Sequence, residues 1–418
     1  MLEDSGYGTL PRRRGSGSWL THAIVGVLAA GLAIAVILLF FTPASGNSLP
    51  GSDAVPSPAP SSAPLASGQQ DIVNKVKPGL VLINTTLQYN SEAAAGTGMV
   101  VNADGLVLTN NHVIEDSTKI TATVVSTGKT YQARVIGYDQ TGDVALIQLQ
   151  NASGLTTVPI GNSSSAKAGE AVVAMGNAEG KGSITATPGH ITALNQTITA
   201  SDEAGSTTSE TLYGTIETNA DIVPGDSGGP LASPAGVIGM DTAGNDPSGQ
   251  EAAAGFAIPI NTALAVARQI AAGHASSVIT IGYPPFLGIF IGSGSSSNPQ
   301  TQAQQQEQQN GGSGGSGGSG STPGCYSSNA DLTVPSDIAP VSSGTLIDGT
   351  ICGSPAAAAG MTGGAVITAV NGQAVGSPDD LASILARFHP GDTISVTWVS
   401  PSGQRTTSSL HLTAGPPQ

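Results

Sequence analysis

The chain has 418 residues, enough for two or three domains, but its 57 glycines, 27 prolines and 4% aromatic content disfavour a helix-rich architecture. The net charge is −15 and the one dense basic run is Arg12–Arg14, which excludes the basic surface typical of a nucleic-acid-binding protein. Two cysteines are too few for a disulfide framework or a zinc site.

The N-terminal region contains one long apolar segment, Ala23–Phe41, with nineteen apolar or glycine positions. As a helix it would be about 28 Å long, close to the hydrocarbon thickness of a bilayer. The arginines before it predict that residues 1–22 are cytoplasmic and that everything after Thr42 is extracytoplasmic. A cleaved signal peptide is the alternative, but its apolar core usually has about 7–15 residues. We therefore predict an uncleaved, single-pass transmembrane helix at 23–41 in the cell membrane.

The composition changes twice after this segment. Residues 42–68 are mainly Pro, Ser, Ala and Gly, which cannot bury a core and are typical of a semi-extended linker. From about Gln69, short apolar runs alternate with turn residues, as in an all-β barrel or sandwich. The predicted strands are Leu80–Ile83, Gly96–Val101, Gly105–Leu108, Lys119–Val125, Tyr131–Tyr138, Val144–Leu149 and Ala171–Met175.

The strand-rich region is followed by a helix, a low-complexity stretch and a last compact region. The spacing of apolar residues predicts a helix over Ile260–Ala272, with Gly273 as its C-terminal cap. Residues 292–324 are rich in Gln, Gly and Ser, which predicts a flexible tether. Residues 325–415 contain a helix signal at Ser377–Phe388, with a Ser N-cap, Pro at the first helical position and acidic residues in the first turn. The strand candidates there are Ala365–Val370 and Thr393–Val399.

A glycine-rich serine motif lies in Thr218–Leu231, which reads TNADIVPGDSGGPL. A nucleophilic serine must present its Oγ to the substrate while nearby backbone N–H groups point at the developing oxyanion, and glycines permit both. We predict that Ser227 is the nucleophile, and that the N–H groups of Gly225, Asp226 and Ser227 form the oxyanion hole.

A serine nucleophile needs a base, and the base needs an orienting acid. His112, in LTNNHVI, stands at the end of a strand-like run within the barrel region and is the candidate base. Asp143, in GDVALIQL, is the candidate acid, and Asp139 in the preceding turn is its rival. The other histidines border the membrane segment, can face solvent, or lie beyond the barrel: His22, His190, His274, His389 and His411.

The chain order decides between two kinds of hydrolase. Gly225–Gly229 also satisfies G-x-S-x-G, the nucleophile elbow of α/β-hydrolases, whose chain order is serine, acid, histidine. Here the order is His112, Asp143, Ser227, and no strong helix signal follows the serine. The sequence therefore favours a barrel protease.

Several spaced motifs resemble the HtrA/DegP family of serine proteases: GTGMVV, TNNHVI, GDVALIQL, GNSSSAKAGEAVVAMGN, TNADIVPGDSGGPL and GFAIP. The resemblance implies a chymotrypsin-like double β-barrel over residues 69–275. It assigns base, acid and nucleophile to His112, Asp143 and Ser227, with no metal or cofactor. It also implies unfolded or mislocalised envelope proteins as substrates, and a homotrimer.

The last region resembles the PDZ module of HtrA proteases. The connector 276–291 contains a segment that looks like its carboxylate-binding loop and first strand: Phe286, Leu287, Gly288 and Ile289. Such a module captures a peptide by adding it to a sheet edge. The tether falls inside this region, after its first strand, which leaves the connection of these four residues to the module open.

Two residues near Ser227 also depart from the family pattern. The residue before the nucleophile is Asp226, where family members commonly have Asn. Asp221 lies six residues before Ser227, where trypsin-like enzymes have the acid of the S1 pocket, so we expect acceptance of Lys or Arg at P1. Separately, we predict a disulfide between Cys325 and Cys352, which is permitted outside the cytoplasm and would join the end of the tether to the last domain.

The sequence thus predicts a mainly β protein with one transmembrane helix, a double-barrel protease domain and a small α+β PDZ-like domain. The predicted function is extracytoplasmic serine endopeptidase in envelope protein quality control. The alternative is a non-catalytic or chaperone-like envelope scaffold that acts through its PDZ-like domain.

Overall fold

The computed structural model describes residues 65–89, 92–201, 209–242, 254–292, 296–309, 324–329 and 332–417. The predicted cytoplasmic segment, the predicted transmembrane helix and most of the predicted linker lie outside these residues. None of the helices within them has both the length and the apolar character needed to span a membrane.

The first barrel is built from six antiparallel strands: β1 Leu80–Leu87, β2 Glu92–Asn102, β3 Leu106–Thr109, β4 Lys119–Val124, β5 Thr130–Asp139 and β6 Val144–Leu149. Their order is β5-β4-β1-β2-β3-β6, and pairing between β5 and β6 closes the barrel. In β4 the buried side chains Ile120, Ala122 and Val124 alternate with more exposed ones, the period expected of a half-buried strand.

The second barrel is also closed and has six strands: β7 Ala171–Gly176, β8 Thr185–Ser201, β9 Ser209–Thr218, β10 Pro230–Ser233, β11 Gly236–Thr242 and β12 Gly255–Pro259. All seven predicted strands are confirmed, six in the first barrel and one as β7. The long β8–β9 hairpin was not predicted, because its polar, threonine-rich sequence lacks a strong apolar alternation.

Two helices pack on these barrels. Helix α2, Ile260–Ala271, confirms the predicted helix, and Gly273 after it has φ +72°. Helix α1, Ser67–Val76, was not predicted, although its buried Ile72, Val73 and Val76 join the same core cluster as α2. After α2, strand β13, Ile279–Ile281, pairs with β5 of the first barrel.

The C-terminal region forms a separate core around short strands and three helices. Its elements are β14 Pro285–Phe286, β15 Ile289–Phe290, α3 Pro299–Gln309, β16 Thr345–Leu346, β17 Gly349–Thr350, α4 Pro355–Ala358, β18 Val366–Val370, β19 Gln373–Ala374, α5 Pro378–Leu385, β20 Thr393–Val399, β21 Arg405–His411 and β22 Thr413–Ala414. The main sheet has the order β16-β18-β20-β21, with β19 paired to β18.

The segment before the tether belongs to this C-terminal module. Strand β14 pairs with β22, and β15 pairs with β17. Leu287 lies between them, is 3% exposed and joins the core that contains Leu381, Ile384 and Trp398. The tether therefore interrupts the module in sequence but not in space.

Part of the predicted tether is a docked helix, which corrects the prediction of a flexible stretch over the whole of 292–324. The buried Gln302 of α3 donates from Nε2 to the carbonyls of Ser296 and Gly344, at 2.8 and 2.7 Å. Its Oε1 accepts the Leu346 N–H at 2.8 Å. These bonds satisfy backbone groups at the edge of β16. The Gln-rich composition of the segment does not reveal that one of its glutamines has this role.

The module is tied together by a disulfide and touches the protease barrels. Cys325 and Cys352 are bonded, with Cα atoms 4.9 Å apart. The Phe286 ring stacks on Tyr89, which follows β1, with centroids 5.7 Å apart. Near the C-terminus, the Pro417 carbonyl accepts the Asp116 N–H at 2.8 Å.

Candidate active site

The candidate base and acid lie together at one end of the first barrel. His112 is in the loop after β3, and Asp143 precedes β6 with φ +49°. The imidazole Nδ1 is 3.0 Å from both carboxylate oxygens of Asp143, and the His112 N–H donates to Asp143 Oδ1 at 3.1 Å. The histidine side chain is 23% exposed and the aspartate 1%. One nitrogen is thus held by a buried carboxylate while the ring still reaches solvent.

Asp139, the rival acid, has a different partner. Its Oδ1 accepts the Gly142 N–H at 2.9 Å and so closes the turn before Asp143. Burial raises the pKa of the Asp139 carboxyl, against the effect of this bond. Asp143 is therefore the aspartate that contacts His112.

Ser227 lies in the loop between β9 and β10, in the second barrel. Each carbonyl from residue 224 to residue 227 accepts a hydrogen bond. The donors are Glu179 N to Pro224 O at 2.6 Å, Thr97 Oγ1 to Gly225 O at 2.8 Å, Gly229 N to Asp226 O at 2.8 Å and Thr97 N to Ser227 O at 2.9 Å. The four carbonyls next to and at Ser227 are thus each held by a donor.

One of the three predicted oxyanion-hole amides is already engaged. The Asp226 N–H donates to Val223 O at 3.0 Å inside the turn, so it is not available to a substrate and that prediction is wrong. Gly225 N and Ser227 N have no protein acceptor within the described part of the chain. Gly225 has φ +90°, and a Cβ there would overlap the Asn177 carbonyl, which is why glycine occupies the position.

Thr242 connects the nucleophile loop with the base and acid. It ends β11, and its Oγ1 donates to Asp143 Oδ2 at 3.1 Å. The preceding residue, Asp241, accepts the Gly228 N–H through its backbone carbonyl at 2.9 Å. Sequence reasoning missed Thr242, because nothing in the local pattern marks a threonine at a strand end as a partner of an aspartate 99 positions away.

Two further carboxyls are buried close to Ser227. Asp226 is 3% exposed and Asp241 0%. Asp226 Oδ2 accepts the Val223 N–H at 3.1 Å, whereas Asp226 Oδ1 and both Asp241 oxygens have no hydrogen-bond partner in the described residues. Burial raises the pKa of Asp226 to about 6, with the nearby Asp221 charge contributing in the same direction. Burial, and then the Asp226 charge, raise the pKa of Asp241 well above its ordinary value.

The remaining predicted residues lie on other elements than the His112–Asp143 pair. Asp221 is exposed, on the loop that leads from β9 to the nucleophile. Phe286–Ile289 and the disulfide belong to the C-terminal module. Among the described residues there is no cluster of three or more His, Cys, Asp or Glu side chains able to bind a metal ion.

Two family models match the chain, one in each region. The model for a trypsin-like peptidase domain matches residues 96–240, which contain His112, Asp143 and Ser227. The model for a PDZ domain matches residues 351–399.

Curated relatives agree with both models. The chain is 28% identical over 410 residues to serine protease PepD of Mycobacterium tuberculosis, covering 94% of this chain and 76% of PepD. It is 40% identical over 177 residues to the periplasmic pH-dependent serine endoprotease DegQ of Escherichia coli, covering 42% of this chain and 37% of DegQ. It is 37% identical over 176 residues to periplasmic serine endoprotease DegP of Escherichia coli, covering 42% of this chain and 35% of DegP. The match thus spans little more than a third of DegQ and DegP.

A solved structure of the HtrA-type protease AlgW with a tripeptide is 25% identical, covering 84% of this chain and 98% of AlgW with a TM-score of 0.43. The two family models and the PepD, DegQ and DegP relatives, together with the double barrel, show that this chain is an HtrA-like serine protease with a trypsin-like peptidase domain and a PDZ domain.

Proposed function

We propose that the chain cleaves polypeptides through a triad in which Ser227 is the nucleophile, His112 the base and Asp143 the orienting acid. The observation that carries this proposal is the contact of His112 Nδ1 with the buried Asp143 carboxylate at 3.0 Å. Because an ionised carboxylate accepts the Nδ1 proton, the Nε2 lone pair remains to accept a proton from serine.

The reaction proceeds in two steps. Ser227 Oγ attacks the peptide carbonyl carbon as its proton moves to His112, and the carbonyl oxygen becomes an oxyanion. Gly225 N–H and Ser227 N–H donate to that oxyanion. His112 then gives the proton to the leaving amine as the C–N bond breaks. A water molecule, deprotonated by the same base, hydrolyses the acyl-enzyme and restores Ser227.

The S1 pocket is the site of a finer proposal. Asp221 precedes Ser227 by six residues, and its exposed carboxylate is available to a cationic P1 side chain. An exposed carboxylate favours Lys or Arg by charge, although solvent limits the size of the effect.

The proposed compartment is outside the cytoplasm. The Cys325–Cys352 disulfide supports it, because such bonds persist in oxidising compartments. DegQ and DegP are named as periplasmic enzymes, which agrees with this location. The apolar run Ala23–Phe41 supports a membrane anchor. We extend the proposal to unfolded envelope proteins as substrates, in protein quality control, and to a homotrimeric assembly.

The PDZ domain is proposed to bind peptide C-termini through Phe286–Ile289. The Leu287 carbonyl accepts Ala356 N–H, and the Gly288 carbonyl accepts Ile351 N–H, both at 3.0 Å. The Leu287 and Gly288 amides donate to no protein acceptor among the described residues, so both are available to a carboxylate. This arrangement also favours the second candidate function, a scaffold that acts through the PDZ domain.

Casein degradation by the full-length protein and by its Ser227→Ala variant separates the two functions. We expect degradation by the wild type and a loss of at least about a thousandfold in the variant, because the nucleophile is removed. Equal turnover by both proteins would overturn the proposed triad and favour the scaffold.

A further inference from the structure

Thr97 is a buried threonine of the first barrel that contacts the nucleophile loop of the second. It lies in β2, is 0% exposed and belongs to the GTG sequence of residues 96–98. Its Oγ1 donates to Gly225 O at 2.8 Å, and its N–H donates to Ser227 O at 2.9 Å. Of the four carbonyls from residue 224 to residue 227, only Gly225 O is held by a side chain.

The bond from Thr97 Oγ1 to Gly225 O can influence the orientation of both oxyanion-hole amides. The Gly225–Asp226 peptide unit lies between the unit that carries Gly225 N–H and the unit that carries Ser227 N–H. Because a peptide unit is planar, holding its carbonyl oxygen also fixes the direction of the unit. Gly225, at φ +90°, has no Cβ to restrain it, so external bonds must set the orientation.

The Thr97 hydroxyl and the Thr97 carbonyl each also accept a hydrogen bond. Oγ1 accepts the N–H of the buried Asn177 at 2.9 Å, so the hydroxyl makes one donor and one acceptor bond. Thr97 O accepts Thr109 Oγ1 at 2.7 Å, at the end of the strand that leads to His112. Gly228 packs directly against this pair, since a Cβ there would overlap both Thr97 O and Thr109 Oγ1. Thr97 thus joins the loop of the base to the loop of the nucleophile.

We infer that the Thr97 hydroxyl is a positioning group for the oxyanion hole, which it holds by fixing the Gly225–Asp226 peptide unit. The inference rests on the proposed triad, and it adds a residue that positions the oxyanion hole without touching the substrate. Valine at this position keeps the shape but removes the hydroxyl, leaving Gly225 O and Asn177 N–H buried without partners. Serine keeps the hydroxyl and both of its bonds.

The test uses the full-length protein with Thr97→Val, Thr97→Ser and a matched control, Thr85→Val. Thr85 is also a buried threonine of the first barrel, 3% exposed, and its Oγ1 donates to a backbone carbonyl, Ala94 O, at 3.3 Å. Steady-state hydrolysis of a fluorogenic peptide gives kcat and KM. A fluorophosphonate that reacts with active-site serines gives the rate of attack by Ser227 and the active fraction.

We expect Thr97→Val to lower kcat and the labelling rate by about 10–100-fold with KM changed less than about twofold, because a displaced oxyanion donor weakens transition-state binding only. Thr97→Ser is expected to stay within about threefold of the wild type, and Thr85→Val to keep wild-type kcat per active site.

Three results would overturn the inference: wild-type kcat in Thr97→Val, equal impairment of Thr97→Ser and Thr97→Val, or an equal loss in Thr85→Val. Labelling of Ser227→Ala at the wild-type rate would instead overturn the proposed function. Labelling that is lost in Ser227→Ala but kept in Thr97→Val counts against the role of Thr97 alone.

Discussion

Two buried aspartates of the candidate active site, Asp143 and Asp226, have different hydrogen-bond partners. Asp143, on the first-barrel side, contacts His112 Nδ1 with both oxygens and also accepts bonds from His112 N–H and Thr242 Oγ1. Asp226, on the second-barrel side, has one bonded oxygen and one without a partner among the described residues, and its charge acts on the buried Asp241. Donors around a carboxylate favour its charged form, whereas burial without donors favours the neutral form.

The difference in hydrogen-bond donors suits the two aspartates to different effects: a role in the proposed catalysis for Asp143, and a pH-dependent stability for Asp226. A carboxylate that must stabilise an imidazolium needs its charge, and the first barrel surrounds Asp143 with donors. A carboxyl whose charge has no such support will exchange a proton over an accessible pH range. Substitutions of Asp143 and of Asp226 can each test this comparison.

The largest effect is expected on the first-barrel side, from Asp143→Asn. The amide cannot accept the Nδ1 proton with both atoms as the carboxylate does, so His112 takes the wrong tautomer. We expect kcat near pH 7 to fall by about 10³–10⁴-fold, measured with a fluorogenic peptide. Asp139→Asn is the matched control. Its side-chain oxygen still accepts Gly142 N–H, so activity is expected to stay within a few fold of the wild type. Comparable losses in both variants would contradict the assignment of Asp143.

A smaller effect, on stability, is expected on the second-barrel side from Asp226→Asn. The folded pKa of Asp226 is about 6 and its ordinary value is 3.8, so the folded state holds the proton more tightly. The contribution of this carboxyl to the stability of the wild type is therefore largest below about pH 4, declines as the pH rises from about 4 to about 6, and changes no further above that range.

The neutral amide that Asp226→Asn introduces would remove this decline. We expect the stability of the variant relative to the wild type to increase by about 1–3 kcal/mol between pH 4 and pH 7, measured by urea denaturation at each pH. Using the difference between the two proteins cancels the contributions of other titrating groups that the substitution leaves unchanged, including Asp348, whose burial raises its pKa to about 6. Parallel stability curves for the two proteins would show that the Asp226 carboxyl is ionised in the fold at all these pH values.

The smallest effect is expected at Asp221, which adds to the charge near Asp226 but is itself exposed. If its carboxylate receives a basic P1 side chain, Asp221→Ser should lower cleavage after Lys and Arg by about tenfold relative to cleavage after Val or Ala. A peptide library profiled with both proteins measures the ratio. An unchanged ratio, or a wild type with no gain for basic P1 residues, would reject the S1 proposal.

The fold could be predicted where the apolar pattern of the sequence is strong and local. Strand β6 and strand β20 were predicted with their observed ends, and helix α2 to within one residue. Strand β6 is a nearly continuous apolar run, whereas the apolar residues of β20 and α2 recur with the period of the element. The β8–β9 hairpin and α3 were not predicted as elements. Their sequences are polar, and what stabilises them is pairing across a barrel or, for α3, the bonds of Gln302 to the β16 edge.

At the candidate active site, the sequence by itself predicted the three residues of the proposed triad from local motifs: Ser227 among its glycines, and His112 and Asp143 at the ends of strand-like runs. It also identified the family resemblance on which their roles rest. It assigned one amide too many to the oxyanion hole, because only the folded turn reveals that Asp226 N–H already donates to Val223 O.

The tertiary structure alone decided how these residues are supported. Thr97 and Gly225 are separated by 128 positions, and Thr242 and Asp143 by 99. Hydrogen bonds act over about 3 Å, so such pairs exist only once two barrels bring distant segments into contact. The same packing buries Asp226 and Asp241 together and raises the pKa of each. Burial and distant donors are properties of the assembled fold, and no stretch of sequence contains them.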